Sequence, residues 1–371
     1  MVSVPMVLPG GVSPGSSPPA RDATLDIAKA LAIILIVVGH VWRALEPAGL
    51  VQDPLLTRVD SVIYMSHLSV FAFAAGLFVA GGMRRDGPWH YARARTVTFL
   101  WLYTLWSTLQ LLMKMAVGSS VNDPVSPGEL LRIWEPKEQF WFFGWLTLMM
   151  LLAAAARPWI SRRAAAAALG AAAVGSLAVW GLNWNVLGGE GLALTVFFFA
   201  GVVLTGRRLL GWMQGLRIGP VLLVLVVAGA VWVVLGATLL GTPPTAYGSL
   251  RTVSSVALGV VGSSAGVVAV LAVSWLLARR SAGMRWLAWI GERSLVVFVA
   301  HVFFTASTRI ALSAVGVDSL GVHVVVPTLA GVVGPLVLYV VALRLRQDWV
   351  FEAPRWLRRL ARADPSPAPR P

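Results

Sequence analysis

The amino-acid sequence predicts an all-α protein that crosses a membrane about ten times, with both termini in the cytoplasm, and three observations support this. First, 57% of the residues are hydrophobic and 12% are charged. Soluble domains average about 25% charged residues. Second, apolar stretches close to the roughly 20 residues that a transmembrane helix needs follow one another along most of the chain. Third, the arginines are concentrated in alternate connecting loops.

Ten apolar stretches approach the length of a membrane span. The sixth, residues 192–206, is shorter than the others. No repeat of fixed period relates the stretches to one another. The predicted spans cover residues 24–41, 60–81, 95–115, 139–156, 163–182, 192–206, 218–240, 252–278, 286–308 and 323–344.

The connecting loops test this count, because cytoplasmic loops of membrane proteins are enriched in lysine and arginine. With the amino terminus inside, the basic excess alternates at every step, as a protein with ten spans requires. The inside positions are Arg84, Arg85, Arg93, Arg95, Arg157, Arg162, Arg163, Arg207, Arg208, Arg217, Arg279, Arg280, Arg285, Arg344 and Arg346. The outside positions are Arg43, Arg58, Lys114, Arg132, Lys137, Arg251 and Arg309.

The two ends of the chain differ in composition from the predicted membrane domain, residues 21–346. Residues 1–20 are rich in Pro, Ser, Gly and Val and lack the basic start of a signal peptide, so they are predicted to form a disordered cytoplasmic tail. Residues 347–371 are rich in Arg and Pro. This composition predicts a short basic helix on the membrane surface followed by a disordered cytoplasmic tail.

Composition also excludes several classes of function. The net charge of +14 is accounted for by the basic loops of a membrane protein, so nucleic-acid binding is not expected. The chain contains no cysteine, which excludes disulfides, thiolate metal sites and an acyl intermediate bound to cysteine.

The first predicted helix carries three ionisable residues, Asp26, Lys29 and His40, through an otherwise apolar run. Charged side chains at mid-membrane are unfavourable by roughly 2.5–3.5 kcal/mol each on insertion scales, so they usually mark function. Lys29 and His40 are separated by about three helical turns, or about 16 Å, and therefore share a face. This polar stripe is predicted to face the protein interior.

Three histidines from different helices, His40, His67 and His301, are predicted to lie in the outer half of the membrane. Zinc coordination by all three is disfavoured, because the sequence has no H-x-x-x-H or H-x-x-E pair, and no metal is expected. A polar cluster around a reaction chamber fits better, since neutral imidazole can take a proton from a hydroxyl near pH 7. For His67 and His301, the alternative that each satisfies a buried polar group stays open.

Four arginines, Arg84, Arg85, Arg93 and Arg95, form a dense basic cluster before the third predicted span. Guanidinium groups at a helix amino terminus suit phosphate groups, because the helix end itself attracts anions. The competing interpretation is that these residues only set the membrane topology.

The segment from Lys29 to His40, Lys-Ala-Leu-Ala-Ile-Ile-Leu-Ile-Val-Val-Gly-His, resembles the opening signature of the acyltransferase-3 family of integral membrane acyltransferases. This family includes O-acetyltransferases of surface polysaccharides and fucose-4-O-acetylase-like proteins. Residues 66–77, Ser-His-Leu-Ser-Val-Phe-Ala-Phe-Ala-Ala-Gly-Leu, are similar to its His-x-Pro-x-Phe-Phe-x-x-Ser-Gly segment. The resemblance continues, in the same order, across some 280 residues.

Later segments extend the resemblance. Arg93 and Arg95, followed by Tyr103 and Trp106, resemble the family's basic motif before its third helix. Three further segments resemble family elements: Gln-Phe-Trp141-Phe-Phe at 139–143, Phe-Phe-Phe-Ala-Gly at 197–201, and the run from Gly291 through Ser294 to His301. The chain departs from the usual family residues at Ser69, Ala75, Leu102 and Phe298, and its basic pair is spaced by one residue instead of two.

The resemblance implies transfer of an acyl group, expected to be acetyl, from cytoplasmic acyl-coenzyme A to an acceptor hydroxyl. His40 would act as the base or carry the acyl group briefly, and Lys29 and Asp26 would form an ion pair in the lower channel. The phosphates would bind Arg93 and Arg95, with Arg84 or Arg85. The remaining pocket candidates are His67, Trp42, Arg43, Tyr103, Trp141, Ser294 and His301, with residues 116–138 beside the acceptor entrance.

The expected location is a bacterial plasma membrane, with a carbohydrate, a glycolipid or a small metabolite as the acceptor. The main alternative is a transporter or flippase for a lipid-linked sugar. Transporters commonly show paired broken spans in two related halves. Gly-rich interruptions occur at residues 259–262, but the first half of the sequence has no matching partner.

Overall fold

In a computed structural model of the protein, residues 23–51, 54–118, 122–135, 138–182, 189–245 and 251–362 are described, and they form helices and connecting loops without a strand. The predicted all-α class is confirmed. The predicted tail at residues 1–20 and the Pro-rich end of the chain lie outside the described residues. The helices are α1 (Thr24–Arg43), α2 (Pro54–Asp86), α3 (Pro88–Val117), α4 (Trp141–Ala156), α5 (Arg162–Val179), α6 (Thr195–Leu204), α7 (Gly206–Gln214), α8 (Ile218–Ala237), α9 (Val253–Arg279), α10 (Arg285–Glu292), α11 (Ser294–Ala314), α12 (Leu320–Arg344) and α13 (Arg355–Arg362).

The protein is a polytopic membrane protein. Among the described residues, eight helical segments are long and apolar enough to cross a bilayer, and α6 with α7 forms a ninth candidate that bends by 69°. Thr205, with φ +60°, lies at this bend. Helix α3 has 30 residues at the position of the third predicted span, but it is less apolar than the others. Each of the ten predicted stretches thus contains a helix, and the membrane topology stays a prediction.

The ninth predicted stretch, residues 286–308, differs from the prediction, because it contains two helices. Helix α10 ends at Glu292, and α11 begins at Ser294. Arg293 lies at the break and donates a hydrogen bond to the Trp289 carbonyl. This bond satisfies one of the carbonyls that every helix end leaves without a partner.

Helix α1 lies in the centre of the bundle, packed against α2, α9, α10, α11 and α12. Its apolar residues are buried on most sides, with Ile27, Ile33, Ile36 and Val37 fully enclosed. Close approach depends on glycine at one point. A Cβ added to Gly291 of α10 would collide with the backbone carbonyl of Asp26, so the first residues of α1 touch α10 directly.

Helices α2 and α6 cross at a pair of glycines. A Cβ added to Gly76 would collide with the Phe198 carbonyl, and one added to Gly201 would collide with the Phe73 carbonyl. Small residues at such crossings let two backbones approach, as is common where helices pack within membranes.

Helices α5 and α8 lie at the periphery and are mostly exposed. The exposed side chains of α8 include Leu223, Val226 and Val234. An apolar surface of this kind is favourable in contact with lipid and unfavourable in contact with water.

The bundle has two ends that matter for function. The turn between α2 and α3, residues 84–90, lies at the end that we call the basic end. Residues 43–47, residues 122–135 and Glu138 lie at the opposite end, which we call the loop end. Helix α1 runs from the basic end to the loop end, and α2 returns beside it, since Arg43 pairs with Asp60. The predicted topology places the basic end in the cytoplasm.

The segment after α12 is held against α3 along much of the length of that helix. The indole nitrogens of Trp101 and Trp106 donate to the carbonyls of Trp349 and Val350. The Nε of Arg93 donates to the Ala361 carbonyl in the last turn of α13. Residues 348–362 are therefore attached to the described membrane domain, up to the point where the described residues end.

Candidate functional site

Two of the predicted histidines are in direct contact. His301 Nε2 lies 3.4 Å from His40 Nδ1, and the two rings meet edge to face with their centroids 4.9 Å apart. His301 is fully buried, and Gly331 of α12 covers its Cβ. The sequence separates these residues by 261 positions, and the packing of α11 against α1 brings them together.

Hydrogen bonds to carbonyl groups assign the tautomers of this pair. His301 Nδ1 lies 2.9 Å from the Phe298 carbonyl oxygen, and His40 Nδ1 lies 2.9 Å from that of Ile36. A carbonyl oxygen only accepts, so each Nδ1 carries the hydrogen and each neutral ring has its lone pair on Nε2. The Nδ1–H of His40 also faces the lone pair of His301. The nitrogen of His40 that can take a proton is therefore Nε2.

A cavity of about 360 Å³ lies beside His40 near the loop end. We call it the His40 cavity. Gln139 and Thr245 are polar residues in its wall, and the Gln139 Oε1 and Thr245 Oγ1 have no hydrogen-bond partner among the described residues. Such atoms suit a ligand that carries hydroxyl groups. The lining includes Ile36, His40, Arg43, Tyr64, His67, Asn122, Asp123, Glu138, Gln139, Trp141, Phe142, Glu190, Thr245 and Phe298.

One wall of the His40 cavity is built from residues of α1 and α2 in mutual contact. Arg43 donates two hydrogen bonds to Asp60, at 2.7 and 2.8 Å, and its guanidinium stacks on the Tyr64 ring. The Tyr64 ring meets His67 edge to face, and His67 Nδ1 lies 2.7 Å from the Ile63 carbonyl oxygen. These contacts fix the orientations of the Arg43 guanidinium and the His67 imidazole in the wall of the His40 cavity.

A smaller cavity of about 120 Å³ also has His40 in its wall and adjoins the first, since the two share several lining residues. We call it the Arg309 cavity. Lys114 lies in its wall and pairs with Glu138 at 2.6 Å. The lining residues are His40, Val41, Ala44, Met113, Lys114, Asn122, Asp123, Glu138, Val302, Thr305, Ala306, Arg309 and Pro327.

Asp26 and Lys29 form an ion pair of 2.8 Å in the first turns of α1. Asp26 is buried, while the Lys29 side chain is 19% exposed and lies over the Phe78 ring. The predicted pairing of these two charges is present. Neither residue lines the His40 cavity, so a direct chemical role there is not visible in the geometry.

A third cavity, of about 820 Å³, opens at the basic end, and we call it the basic cavity. Four arginines line it, three of which pair with a carboxylate in the same wall: Arg85 with Asp86, Arg293 with Glu292, and Arg358 with Glu352. The fourth, Arg95, has the Tyr91 ring beside it and forms no ion pair with any described residue. The full lining is Arg85, Asp86, His90, Tyr91, Ala94, Arg95, Thr98, Glu292, Arg293, Leu295, Val296, Tyr339, Phe351, Glu352, Ala353 and Arg358.

The other two arginines of the predicted cluster lie elsewhere. Arg93 faces α13, and Arg84 is bonded to the Trp159 carbonyl on the outside of the bundle. Residues 93 and 95 are about 200° apart around a helix, so only one of them can face a given cavity.

Of the remaining predicted pocket residues, some line a cavity and others do not. Trp141 lines the His40 cavity. Trp42 donates to the Leu56 carbonyl, and Tyr103 donates to the Ile133 carbonyl, so both hold loop-end segments instead of lining that cavity. Ser294 is the first residue of α11, directly before the wall of the basic cavity.

One face of α11 passes all three cavities in order. Leu295 lines the basic cavity, Phe298 the His40 cavity, and Val302, Thr305 and Arg309 the Arg309 cavity. Their spacing of three and four residues keeps them on one side of the helix, over an axial length of about 21 Å. Phe298 packs against Phe71, Phe142 and Phe143 at this point. This phenylalanine cluster lies between the basic cavity and His40.

Sequence reasoning missed Arg309, which it assigned to an outside loop. The structure places Arg309 within α11, buried and facing a cavity. The signal was present, because His301, Thr305 and Arg309 are spaced by four residues and share a helix face. Gln139 was also missed as a cavity residue, and no local pattern marks it, whereas Glu138 belongs to the segment 116–138 that was predicted beside the acceptor entrance.

Among the described residues, no group of three or more His, Asp or Glu side chains is placed to hold a metal ion. His40 and His301 are in contact with each other, while His67 points to a different part of the wall beside Tyr64.

Fold and site together define a membrane protein in which His40, in contact with His301, lines two loop-end cavities, with an arginine-lined cavity at the opposite end. The model of the acyltransferase-3 family, described as an acyltransferase domain, matches residues 22–362. The chain belongs to this family, and it is a membrane acyltransferase. Comparison with curated proteins gave no match, and comparison with solved structures gave none.

Proposed function

We propose that the protein transfers an acetyl group from cytoplasmic acetyl-coenzyme A to a hydroxyl of a carbohydrate, glycolipid or small-metabolite acceptor held at the loop end. The observation that carries this proposal is the His40–His301 pair, in which His40 lines two cavities and has its proton-accepting nitrogen fixed as Nε2. The family supplies the reaction class.

The basic cavity is the proposed site for the donor phosphates. Its volume of about 820 Å³ and its four arginines suit a ligand with several phosphate groups. Because three of those arginines are already paired, Arg95 is the group whose charge is most available to a phosphate. The residues proposed to bind the donor phosphates are therefore Arg85, Arg95, Arg293 and Arg358. Arg84 and Arg93, which were predicted from the sequence, do not line this cavity.

The thioester end of the donor would reach His40 along the face of α11 that starts at Leu295. The phenylalanine cluster must move aside for this to occur, and Phe298 is its central member. The pantetheine arm of coenzyme A is narrow, so rotation of one or two rings opens enough space.

The chemistry follows from the two tautomers. His40 Nε2 takes the proton of the acceptor hydroxyl as its oxygen attacks the thioester carbonyl. The carbon–sulfur bond then breaks, and the thiolate of coenzyme A leaves with the proton that His40 releases. While His40 is cationic, its Nδ1–H is shared between the Ile36 carbonyl oxygen at 2.9 Å and the lone pair on His301 Nε2 at 3.4 Å, and both acceptors stabilise the charge. His301 is a positioning residue in this scheme.

Turnover of radiolabelled acetyl-coenzyme A by the purified protein tests the proposal. We expect the acetyl group to be transferred to water or to an added acceptor, so that coenzyme A is released faster than in protein-free micelles. A transporter or flippase for a lipid-linked sugar would leave the thioester intact, so an absence of turnover would favour that alternative.

Replacing Arg95 with glutamine should raise the apparent KM for acetyl-coenzyme A by about ten- to a hundredfold, as expected for the loss of a charge-assisted contact. The effect should shrink as salt is added, because salt screens the wild-type contact. Arg93→Gln is the matched control, since Arg93 is two residues away and faces Ala361. Equal KM values for the two variants would show that Arg95 does not bind the donor.

Replacing His301 with valine should lower kcat by about ten- to a hundredfold and leave the KM for acetyl-coenzyme A unchanged, because His301 does not line the basic cavity. His301→Gln keeps an acceptor for the Nδ1–H of His40 and should retain more activity than His301→Val. A rise in KM with unchanged kcat would contradict the positioning role.

A further inference from the structure

Arg309 is a buried cation without a partner in the described structure. The residue is 8% exposed, and its Nε has no hydrogen-bond partner within the part of the chain that the structure describes. No carboxylate among the described residues lies within ion-pair distance of it. Arginine stays protonated in proteins, and a buried charge without compensation is strongly unfavourable. The guanidinium therefore marks a place where an anion would be stabilised.

The other charged side chains that line the Arg309 cavity form ion pairs with one another. Lys114 pairs with Glu138 at 2.6 Å and with Asp123 at 3.5 Å. The Asp123 side chain is 75% exposed, so water screens its charge. Lys114 and Glu138 neutralise each other. Arg309 is thus the cation in this wall that is left to attract a ligand.

Lipid phosphate does not account for Arg309. An arginine near the end of a membrane helix often extends its side chain to the headgroups. Such a side chain would be exposed on the outer surface of the bundle, whereas Arg309 is buried and lines the same cavity as His40 and Pro327 of α12.

The position of Arg309 relative to the histidine pair fits one bound molecule. His301, Thr305 and Arg309 follow one another at intervals of four residues, and His301 contacts His40. The axial distance from His301 to Arg309 is about 12 Å. Helical side chains lean toward the amino terminus, so the Arg309 side chain leans back toward His301. A molecule of about the size of a sugar could contact both Arg309 and His40.

We infer that Arg309 binds an anionic group, a carboxylate or a phosphate, on the acceptor whose hydroxyl is acylated at His40. The inference rests on the proposed function and specifies its substrate class. Guanidinium groups recognise carboxylates and phosphates through paired hydrogen bonds, which fix orientation as well as supply affinity. Arg309 would in this way place the reactive hydroxyl at His40 Nε2 and disfavour neutral acceptors.

Three probes separate the two anion types from a neutral acceptor: methyl glucuronoside, glucose 6-phosphate and methyl glucoside. Acetyl transfer to each would be measured for the wild type, Arg309→Gln, Arg309→Lys and Arg58→Gln. Arg58 is the matched control, because it is an exposed loop-end arginine that lines neither loop-end cavity.

We expect the wild type to favour at least one anionic probe over methyl glucoside in kcat/KM by about ten- to a hundredfold. Arg309→Gln should bring this ratio close to one, Arg309→Lys should give an intermediate ratio, and Arg58→Gln should match the wild type. The favoured probe identifies the anion type. A wild-type ratio near one, or the same ratio in Arg309→Gln, would overturn the inference.

A second measurement does not depend on catalysis. Millimolar glucuronate or inorganic phosphate should raise the thermal unfolding temperature of the wild type, because a ligand that binds the folded state stabilises it, and should not do so for Arg309→Gln. The absence of a shift in the wild type with either anion would overturn the inference. Failure of the proposed function would look different: acetyl-coenzyme A would not be turned over, while this shift would still report on Arg309.

Discussion

Replacing His40 with alanine should lower acetyl transfer by roughly 10²–10⁴-fold, the usual contribution of a positioned general base. The KM for acetyl-coenzyme A should change little, because His40 lies outside the basic cavity. The measurement is the rate of coenzyme A release by purified protein, with acceptor present.

The control for this variant is His323→Gln. His323 is also buried, but it donates to the Val317 carbonyl at the start of α12 and lines none of the three cavities. Glutamine can donate the same hydrogen bond. If His40→Ala kept wild-type activity, the histidine pair would have no part in the reaction.

Replacing Gly76 with alanine should have the largest effect on stability. The added Cβ would overlap the Phe198 carbonyl, and neither backbone can move without separating α2 from α6. Overpacking of this kind is destabilising by typically about 1–3 kcal/mol. The measurement is the thermal unfolding temperature of the protein in detergent.

Gly170→Ala is the matched control, since it makes the same chemical change in a helix where nothing lies within 4 Å of the new Cβ. Alanine favours helix more than glycine, so this variant should be as stable as the wild type or more stable. If the two variants unfolded at the same temperature, the close crossing of α2 and α6 would be contradicted.

Sequence reasoning gave the membrane fold reliably because hydropathy and loop charge act locally. Each predicted stretch contains a helix, and the sixth, which was the shortest, is the one that bends at Thr205. The break at Arg293 was not predicted, because an apolar count does not detect a short surface helix that leads directly into a span.

The histidine pair could be anticipated only in part. Depth along the predicted spans placed His40 and His301 in the same half of the membrane, but contact between them depends on how α11 packs against α1. The glycines at positions 76, 201 and 291 show the same limit, since each matters through a partner helix distant in sequence.

The arginines show most clearly what spacing cannot decide. Arg93 and Arg95 look equivalent in the sequence, yet one faces α13 and the other faces the basic cavity. Counting loop charges assigned Arg309 to a loop, because the last turns of a helix resemble a loop in composition. Burial distinguishes these cases, and burial is a property of the packed bundle.

The central claim is that an acyl group supplied at the basic end reaches an acceptor at the loop end through His40. Proteoliposomes in which labelled acetyl-coenzyme A and the three acceptor probes are confined to opposite compartments test this most directly. The account predicts labelled ester in the acceptor compartment, dependent on His40. Ester that forms only when donor and acceptor share a compartment, or that forms equally with His40→Ala, would contradict it.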